Sequence, residues 1–275
     1  MSSVPASQPA QDLRAVVLNY NSFEDTCACV ASLLQLGVVP PCNIVVVDNA
    51  SPDGSGPRLQ SELAGIKVVL SPRNGGFASG INLGFAHAGD CAYYLVLNPD
   101  TSFQENNLAL ALAEFEREPR LGVLGLNLVN PDGSPQYSAR RFYSLQTVLL
   151  RRSPLGKWRM FRRLHDEHLM LDAWNGGAFE TDWIIGGGFV ARREAIAALG
   201  GFDEGYFLYI EDTDLCRRMW SAGWKVKAIP AVRLIHAHAR ASKGLRSQAA
   251  KYHLRSLYRY WRKFGLPLFG HGGRG

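Results

Sequence analysis

The sequence predicts an α/β fold, a mainly parallel central sheet with helices on its faces. Four short, largely β-branched runs, Ala15–Leu18, Ile44–Val47, Lys67–Leu70 and Tyr93–Leu97, alternate with segments carrying apolar residues at helical spacing, Glu24–Leu36, Gly56–Leu63 and Phe77–Ala88. Polar or glycine-rich loops follow these runs: Asn19-Tyr20-Asn21, Asp48-Asn49-Ala50-Ser51, Arg73-Asn74-Gly75-Gly76 and Asn98-Pro99-Asp100. Open parallel sheets bind ligands beyond the carboxyl ends of their strands, so four such loops on one rim predict a ligand site. A chain of 275 residues with 47% hydrophobic and 20% charged content has enough apolar surface for a sizeable core.

Each element has a local reason. Ser55 stands where it can cap the second helix. Asn107–Arg117 reads as a helix and Gly122–Asn127 as a strand, and Asn130-Pro131-Asp132-Gly133 is a turn that predicts a hairpin. Residues Ser144–Asn175 form a basic and aromatic insertion, with Arg151, Arg152, Lys157, Arg159, Arg162 and Arg163 interleaved with Trp158 and Phe161. Phe189–Leu199 reads as a strand and short helix, Glu211 opens a helix running to Ala222, and Val232–His236 is the last strand before a basic helix, Gln248–Phe264.

Composition narrows the function classes. The longest apolar runs are too short to cross a bilayer, and the first residues lack the basic-then-apolar order of a secretory signal, so a frayed tail and a cytoplasmic location are expected. Five cysteines without Cys-x-x-Cys spacing fit reduced, mostly buried thiols. A net charge of +6 asks for an anionic partner without choosing among a nucleotide diphosphate, a lipid surface and nucleic acid.

Three places carry candidate chemistry. Asp100 leaves a buried strand into a loop, where a carboxylate can hold Mg²⁺ or Mn²⁺ together with substrate phosphates. Glu211, Asp212 and Asp214 open a helix whose dipole favours acids, and an ionised Asp212 can take a proton from an attacking hydroxyl. His236 ends a strand and can supply a second metal ligand, ahead of His238, Arg240, Ser242 and Lys243, whose cations suit a departing diphosphate.

In their order along the chain these pieces resemble glycosyltransferase family 2, with the GT-A fold, and within it the bacterial rhamnosyltransferase-like branch. The matching residues are Val17-Leu18-Asn19-Tyr20-Asn21, Val46-Val47-Asp48-Asn49-Ala50-Ser51, Arg73 to Phe77 with Gly80, Asn82 and Gly84, Leu97-Asn98-Pro99-Asp100, Gly187-Gly188, Gly200 to Glu204, Tyr209 to Arg218, and His236. The resemblance implies a domain over 14–242, with a nucleotide-binding half (14–100) and an acceptor half (101–242), between a tail (1–13) and a basic C-terminal region (243–275). It implies that Asp48 contacts the nucleotide base, that Asn19 and Asn21 line the same pocket, and that Arg73, Asn74, Gly75 and Gly76 lie beneath base, ribose and sugar. Asn82, Asn98, Gly187 and Gly188 join them as substrate-binding candidates, as do Glu211, Asp214 and Arg240. Asp100 matches the last acid of the family's D-x-D metal motif. Asn98 replaces the first, which implies a divalent cation held by Asp100, His236 and the diphosphate.

The implied reaction is an inverting displacement, in which Asp212 deprotonates an acceptor hydroxyl that attacks the anomeric carbon of a nucleotide diphosphate sugar. dTDP-rhamnose leads as donor, ahead of a UDP-hexose or UDP-galactofuranose, with an inactive sugar-nucleotide-binding protein as the alternative of another class. The acceptor is expected to be a glycan or a lipid-linked glycan. The arginine-rich insertion and the terminal helix either rest on an anionic membrane surface or pack on the core with a solvated basic face. A nicotinamide-dependent enzyme would need G-x-G-x-x-G after the first strand, which is missing, and a nucleic-acid-binding module would leave the acidic block without a purpose.

Overall fold

The computed structural model describes residues 12–145, 159–237 and 248–265, with residues 159–161 described by backbone alone. The strands are β1 (Leu13–Asn19), β2 (Ile44–Asp48), β3 (Lys67–Leu70), β4 (Tyr93–Leu97), β5 (Thr101–Ser102), β6 (Leu121–Val129), β7 (Ala139–Arg140), β8 (Phe179–Glu180), β9 (Trp183–Ile184), β10 (Gly188–Arg192) and β11 (Lys225–His236). The helices are α1 (Phe23–Gln35), α2 (Ser55–Glu62), α3 (Gly76–His87), α4 (Leu108–Arg117), α5 (Arg159–His168), α6 (Arg193–Ala198), α7 (Glu211–Ser221) and α8 (Gln248–Phe264). One large sheet runs β3-β2-β1-β4-β10-β6-β11-β5, with β8 on β11, and β7 pairs with β9 separately. Neighbours β3, β2, β1 and β4 are parallel, and β10 is inserted antiparallel between β4 and β6.

Both faces of the sheet are covered, which is why its strands read as continuous apolar runs rather than alternating ones. Along β1, Leu13, Ala15 and Val17 enter one core with α1 and α4, while Val16 and Leu18 enter the other with α3, α6, α7 and Tyr260 of α8. Helix α3 lies close on β1. A Cβ at Gly84 would sit 2.3 Å from Val16 Cγ1, so only glycine admits that approach.

Several expectations need correction. Ser55 is the first residue of α2 and does not cap it. Gly54, in the left-handed region, takes the cap position, and the Ser55 hydroxyl bonds the Asp53 carboxylate instead. The expected hairpin shrinks to a turn, in which Gly133 N–H donates to Asn130 O and Val129 forms one isolated bridge to Pro135 before the chain departs to β7. The last strand is longer than Val232–His236. It starts at Lys225 and passes an irregularity between Ile229 and Arg233, where Pro230 removes a ladder donor. The insertion contains α5 and a 3₁₀ turn, Leu171–Asn175.

Candidate active site

The parallel register brings the rim loops together. Asn19 pairs across from Asp48 at the strand ends, and Leu97 sits beside Val17 on β1 and Gly188 on β10. Asn98 N–H then donates to Gly187 O at 3.0 Å. Beyond Asn98 the chain turns into β5, whose Thr101 pairs with His236 at the end of β11, and Ala237 N–H donates to Asp100 O at 2.8 Å. That two-residue ladder carries Asp100 to His236 across more than a hundred positions of sequence. Asp100 Oδ1 lies 3.4 Å from His236 Nε2, and Asn98 Nδ2 is 3.4 Å from the same nitrogen.

The imidazole's orientation is fixed from behind by Gln136, which sequence reasoning missed. Gln136 Nε2 donates to Asn130 Oδ1 at 2.9 Å and to His236 O at 2.8 Å, so its Oε1 is the atom facing His236 Nδ1 at 2.8 Å. In the neutral imidazole Nδ1 therefore carries the hydrogen, and the Nε2 lone pair is directed toward Asp100. An imidazole held this way by a hydrogen-bond acceptor is the arrangement that metal-ligating histidines adopt.

Opposite this pair stands the acidic block. The loop before α7 enters the helix through two residues in the left-handed region, Tyr209 (φ 68°) and β-branched Ile210 (φ 70°), a conformation that costs energy and persists only where the surroundings enforce it. The bend aims Glu211 and Asp212 into the protein. Asp212 Oδ2 accepts from Gly186 N–H at 3.0 Å, and Oδ1 accepts from Thr213 N–H at 2.7 Å. Burial pushes the Asp212 carboxyl above its ordinary range, against the pull of these bonds and of Arg140. Burial and then the Asp212 charge raise Glu211 well above its usual value, and its buried Oε2 has no hydrogen-bond partner among the described residues. The two carboxyls are raised unequally, Glu211 the more, which makes Glu211 the better holder of a proton and Asp212 the better base.

The two groups share one cavity of about 470 Å³, whose walls include Asn98, Asp100, Gly187, His236, Glu211 and Asp212. Arg140 and His253 also line it and were not foreseen. Arg140 lies on a two-residue strand that gives no sequence pattern, and His253 comes from α8. Asp25 on α1 is a further unforeseen carboxylate. Its carboxyl is raised by burial, then by the charge of Asp100.

The nucleotide-side candidates form a second network. Asn19 Nδ2 donates to Asp48 Oδ1 at 2.6 Å and its Oδ1 accepts from Thr26 Oγ1 at 2.9 Å, while Asp48 Oδ2 accepts from Ser51 N–H at 3.1 Å. Asn21 is exposed at φ 52°, and its N–H donates to Ser51 Oγ at 3.0 Å. Asn49 ties this network to the next loop, donating to Asn74 Oδ1 and Gly76 O at 3.0 Å each, and Asn74 Oδ1 accepts from Gly76 N–H. Gly76, at φ 84°, packs against the loop before α7, where an added Cβ would sit 2.0 Å from Phe207 O. Gly75 is half-buried and Arg73 is exposed beside them.

Three candidates stand apart from the cavity. Asn82 clamps a turn, donating to Phe202 O at 2.9 Å and accepting from Phe202 N–H at 2.8 Å. Gly188 begins β10 in the core, where a Cβ would meet Leu234 at 2.3 Å. Asp214 is fully buried between Arg218 (2.6 Å) and Lys263 (2.7 Å), facing α8. Arg240, with His238, Ser242 and Lys243, lies outside the described residues, as do Arg151, Arg152, Lys157 and Trp158 of the insertion.

Known proteins share this organisation. Residues 15–196 match the family described as Glycosyl transferase family 2, and residues 168–240 match the N-terminal domain of galactosyltransferase. The N-acetylglucosaminyl-diphospho-decaprenol L-rhamnosyltransferase of Mycobacterium tuberculosis is 29% identical over 76% of this chain and 71% of its own. Rhamnosyltransferase WbbL of Escherichia coli (strain K12) is 30% identical over 62% of each. Among solved structures, GalNAc-T7 with UDP, GalNAc and Mn²⁺ superposes with a TM-score of 0.65 at 18% identity, covering 90% of this chain and 48% of that one. The fold is thus of the GT-A type, and by the motifs in their order, the cavity they enclose and the match across residues 15–196, the chain belongs to glycosyltransferase family 2.

Proposed function

We propose that this protein transfers L-rhamnose from dTDP-rhamnose, with inversion, onto a hydroxyl of a glycan or lipid-linked acceptor in cell-surface polysaccharide synthesis. The observation that carries the proposal is the single cavity that joins Asp100 and His236 to Asp212. The rhamnosyltransferase relatives support the sugar, and the lipid diphosphate in the name of the mycobacterial one supports a lipid-linked acceptor.

Asp212 serves as general base. Its carboxylate, oriented by Gly186 and Thr213, receives the proton of the acceptor hydroxyl as that oxygen attacks the anomeric carbon. The bond from the anomeric carbon to the diphosphate breaks on the opposite face, and the electron pair leaves on the diphosphate oxygen. Glu211, holding its own proton, leaves the neighbouring Asp212 carboxylate free to act as the base. The Arg140 charge favours the ionised Asp212 carboxyl against its burial.

The Asp100 and His236 pair fits a divalent cation, Mg²⁺ or Mn²⁺. Their donor atoms are 3.4 Å apart, Gln136 directs Nε2 toward Asp100, and such cations are commonly bound by one or two protein oxygens together with substrate phosphates. Among the described residues there is no group of three or more candidate ligands, so the donor's diphosphate would have to supply the remaining positions. When bound, the cation supplies neutralisation of charge growing on the leaving diphosphate. No helix among the described residues is long and apolar enough to cross a membrane. We place the protein at the cytoplasmic face of the membrane as a peripheral protein.

A thermal-shift panel of dTDP-rhamnose, UDP-hexoses and UDP-galactofuranose, each with and without Mn²⁺ or Mg²⁺, tests the donor. The expected result is the largest stabilisation by dTDP-rhamnose with metal. Stabilisation by a UDP-sugar alone would replace the donor, and no shift with any nucleotide sugar would overturn the function.

A further inference from the structure

Helix α8 has two faces that do different things. Its inner face braces the catalytic loop: Tyr252 stacks on Phe207 with ring centres 4.5 Å apart, His253 meets Tyr209, and Ser256 Oγ donates to Leu208 O at 2.9 Å. Arg259 and Lys263 hold Asp203 at 2.8 and 2.9 Å, and Lys263 also reaches Asp214. Ser256, Leu257 and Tyr260 are buried. This face of the helix lies on the core, and His253 reaches the cavity wall.

The outer face is unusual for a solvated one. Leu254, Tyr258 and Trp261, spaced i, i+4 and i+7, form a single apolar stripe exposed by 52%, 61% and 37%. Lys251, Arg255 and Arg262 are exposed alongside it, and the helix contains no acidic residue. An apolar stripe with aromatic rings, whose exposed charged neighbours on the helix are all cations, matches the charge and polarity of an anionic bilayer surface, where rings sit at headgroup depth and cations meet lipid phosphates.

We propose that α8 is an interfacial helix whose Leu254-Tyr258-Trp261 stripe docks on an anionic lipid bilayer and holds the cavity rim beside it. His253 on the cavity wall stands next to Leu254 in sequence, about 100° round the helix from the stripe, so the site lies within about one helix diameter, roughly 10 Å, of the surface. A sugar linked to a membrane lipid through a diphosphate presents its hydroxyls within that distance. The inference rests on the lipid-linked acceptor of the proposed function.

Its test uses the full chain with Tyr258→Asp and Trp261→Asp combined, both outside the cavity wall. The wild type is expected to float with phosphatidylglycerol vesicles at low salt and not with pure phosphatidylcholine. The double variant is expected to lose at least roughly ten-fold in partitioning while keeping its melting temperature. Transfer to a vesicle-embedded lipid acceptor falls with it, whereas transfer to a water-soluble acceptor fragment and donor affinity do not change. A wild type that stays in solution, or a variant that floats equally well, overturns the inference. Failure of the glycosyltransferase function reads out separately, as loss of donor binding in both proteins with flotation unaltered.

Discussion

Replacing Asp214 by Asn separates a structural acid from a substrate-binding one. Asp214 is fully buried, and its two oxygens each take one cation, Arg218 Nε at 2.6 Å and Lys263 Nζ at 2.7 Å. Removing one partner of a buried ion pair costs about 3–5 kcal/mol, because the cations left behind lose compensation for their desolvation. Two features place this case at the low end. Lys263 keeps Asp203 and is one-third exposed, and Arg218 keeps the carbonyls of Leu199 and Gly201. A loss of about 3 kcal/mol in a chain of this size lowers the melting temperature by about 6–12 °C. Differential scanning calorimetry measures that shift, and steady-state kinetics measure the donor KM, which is expected to stay within about two-fold at a temperature where the variant is folded. A melting point within about 2 °C of wild type combined with a donor KM raised more than about ten-fold would refute the structural role and return Asp214 to the substrate.

Further perturbations probe other contacts. Gln136→Leu strips the acceptor from His236 Nδ1 and is expected to weaken the metal response by about 10- to 100-fold, read as the midpoint of a Mn²⁺ titration of donor binding. An unchanged midpoint would detach His236 from the cation. Glu211→Gln is expected to change the pH dependence of stability. Folded Glu211 holds its proton well above 4.5, so its favourable contribution is complete below 4.5 and is lost as pH rises through the folded value. Urea titrations should therefore find the variant gaining on wild type toward neutral and alkaline pH, and parallel profiles would count against the protonated Glu211. Because burial raises Asp212 as well, kcat/KM should fall with acidification at higher pH than for an ordinary aspartate. Gly76→Ala, forced into φ 84° against Phe207 O, should cost about 2 kcal/mol or more and disturb the catalytic loop, seen as a joint loss of melting temperature and kcat.

Much of this was legible in the sequence because the parallel strands are buried on both faces and end in polar loops. The runs of β1 to β4 are marked by their periodicity, whereas Asp100, Asp212 and His236 stand out at strand or helix ends only in combination with the motifs around them. What escaped depends on contacts between distant segments. Gln136 sits after a turn with no pattern of its own, yet its amide is fixed by Asn130 and by the His236 carbonyl. The first half of β11 carries no continuous strand pattern, because Pro230 interrupts it. Asn82 and Asp214 belong to the family's motif, but their hydrogen bonds and ion pairs are with the protein itself, and residue identity alone does not separate the two roles. Asp48 and Asn19 likewise hold one another at the rim.

The convergence of Asp100, His236 and Asp212 on one donor is tested most directly by Asp212→Asn, assayed for both binding and transfer. Affinity for dTDP-rhamnose with Mn²⁺ should remain within a few-fold of wild type, while kcat falls by about 10²- to 10⁴-fold, the usual contribution of a general base. Transfer at near wild-type rate, or loss of donor binding in step with turnover, would contradict the assignment of Asp212 as the base acting beside the metal-bound diphosphate.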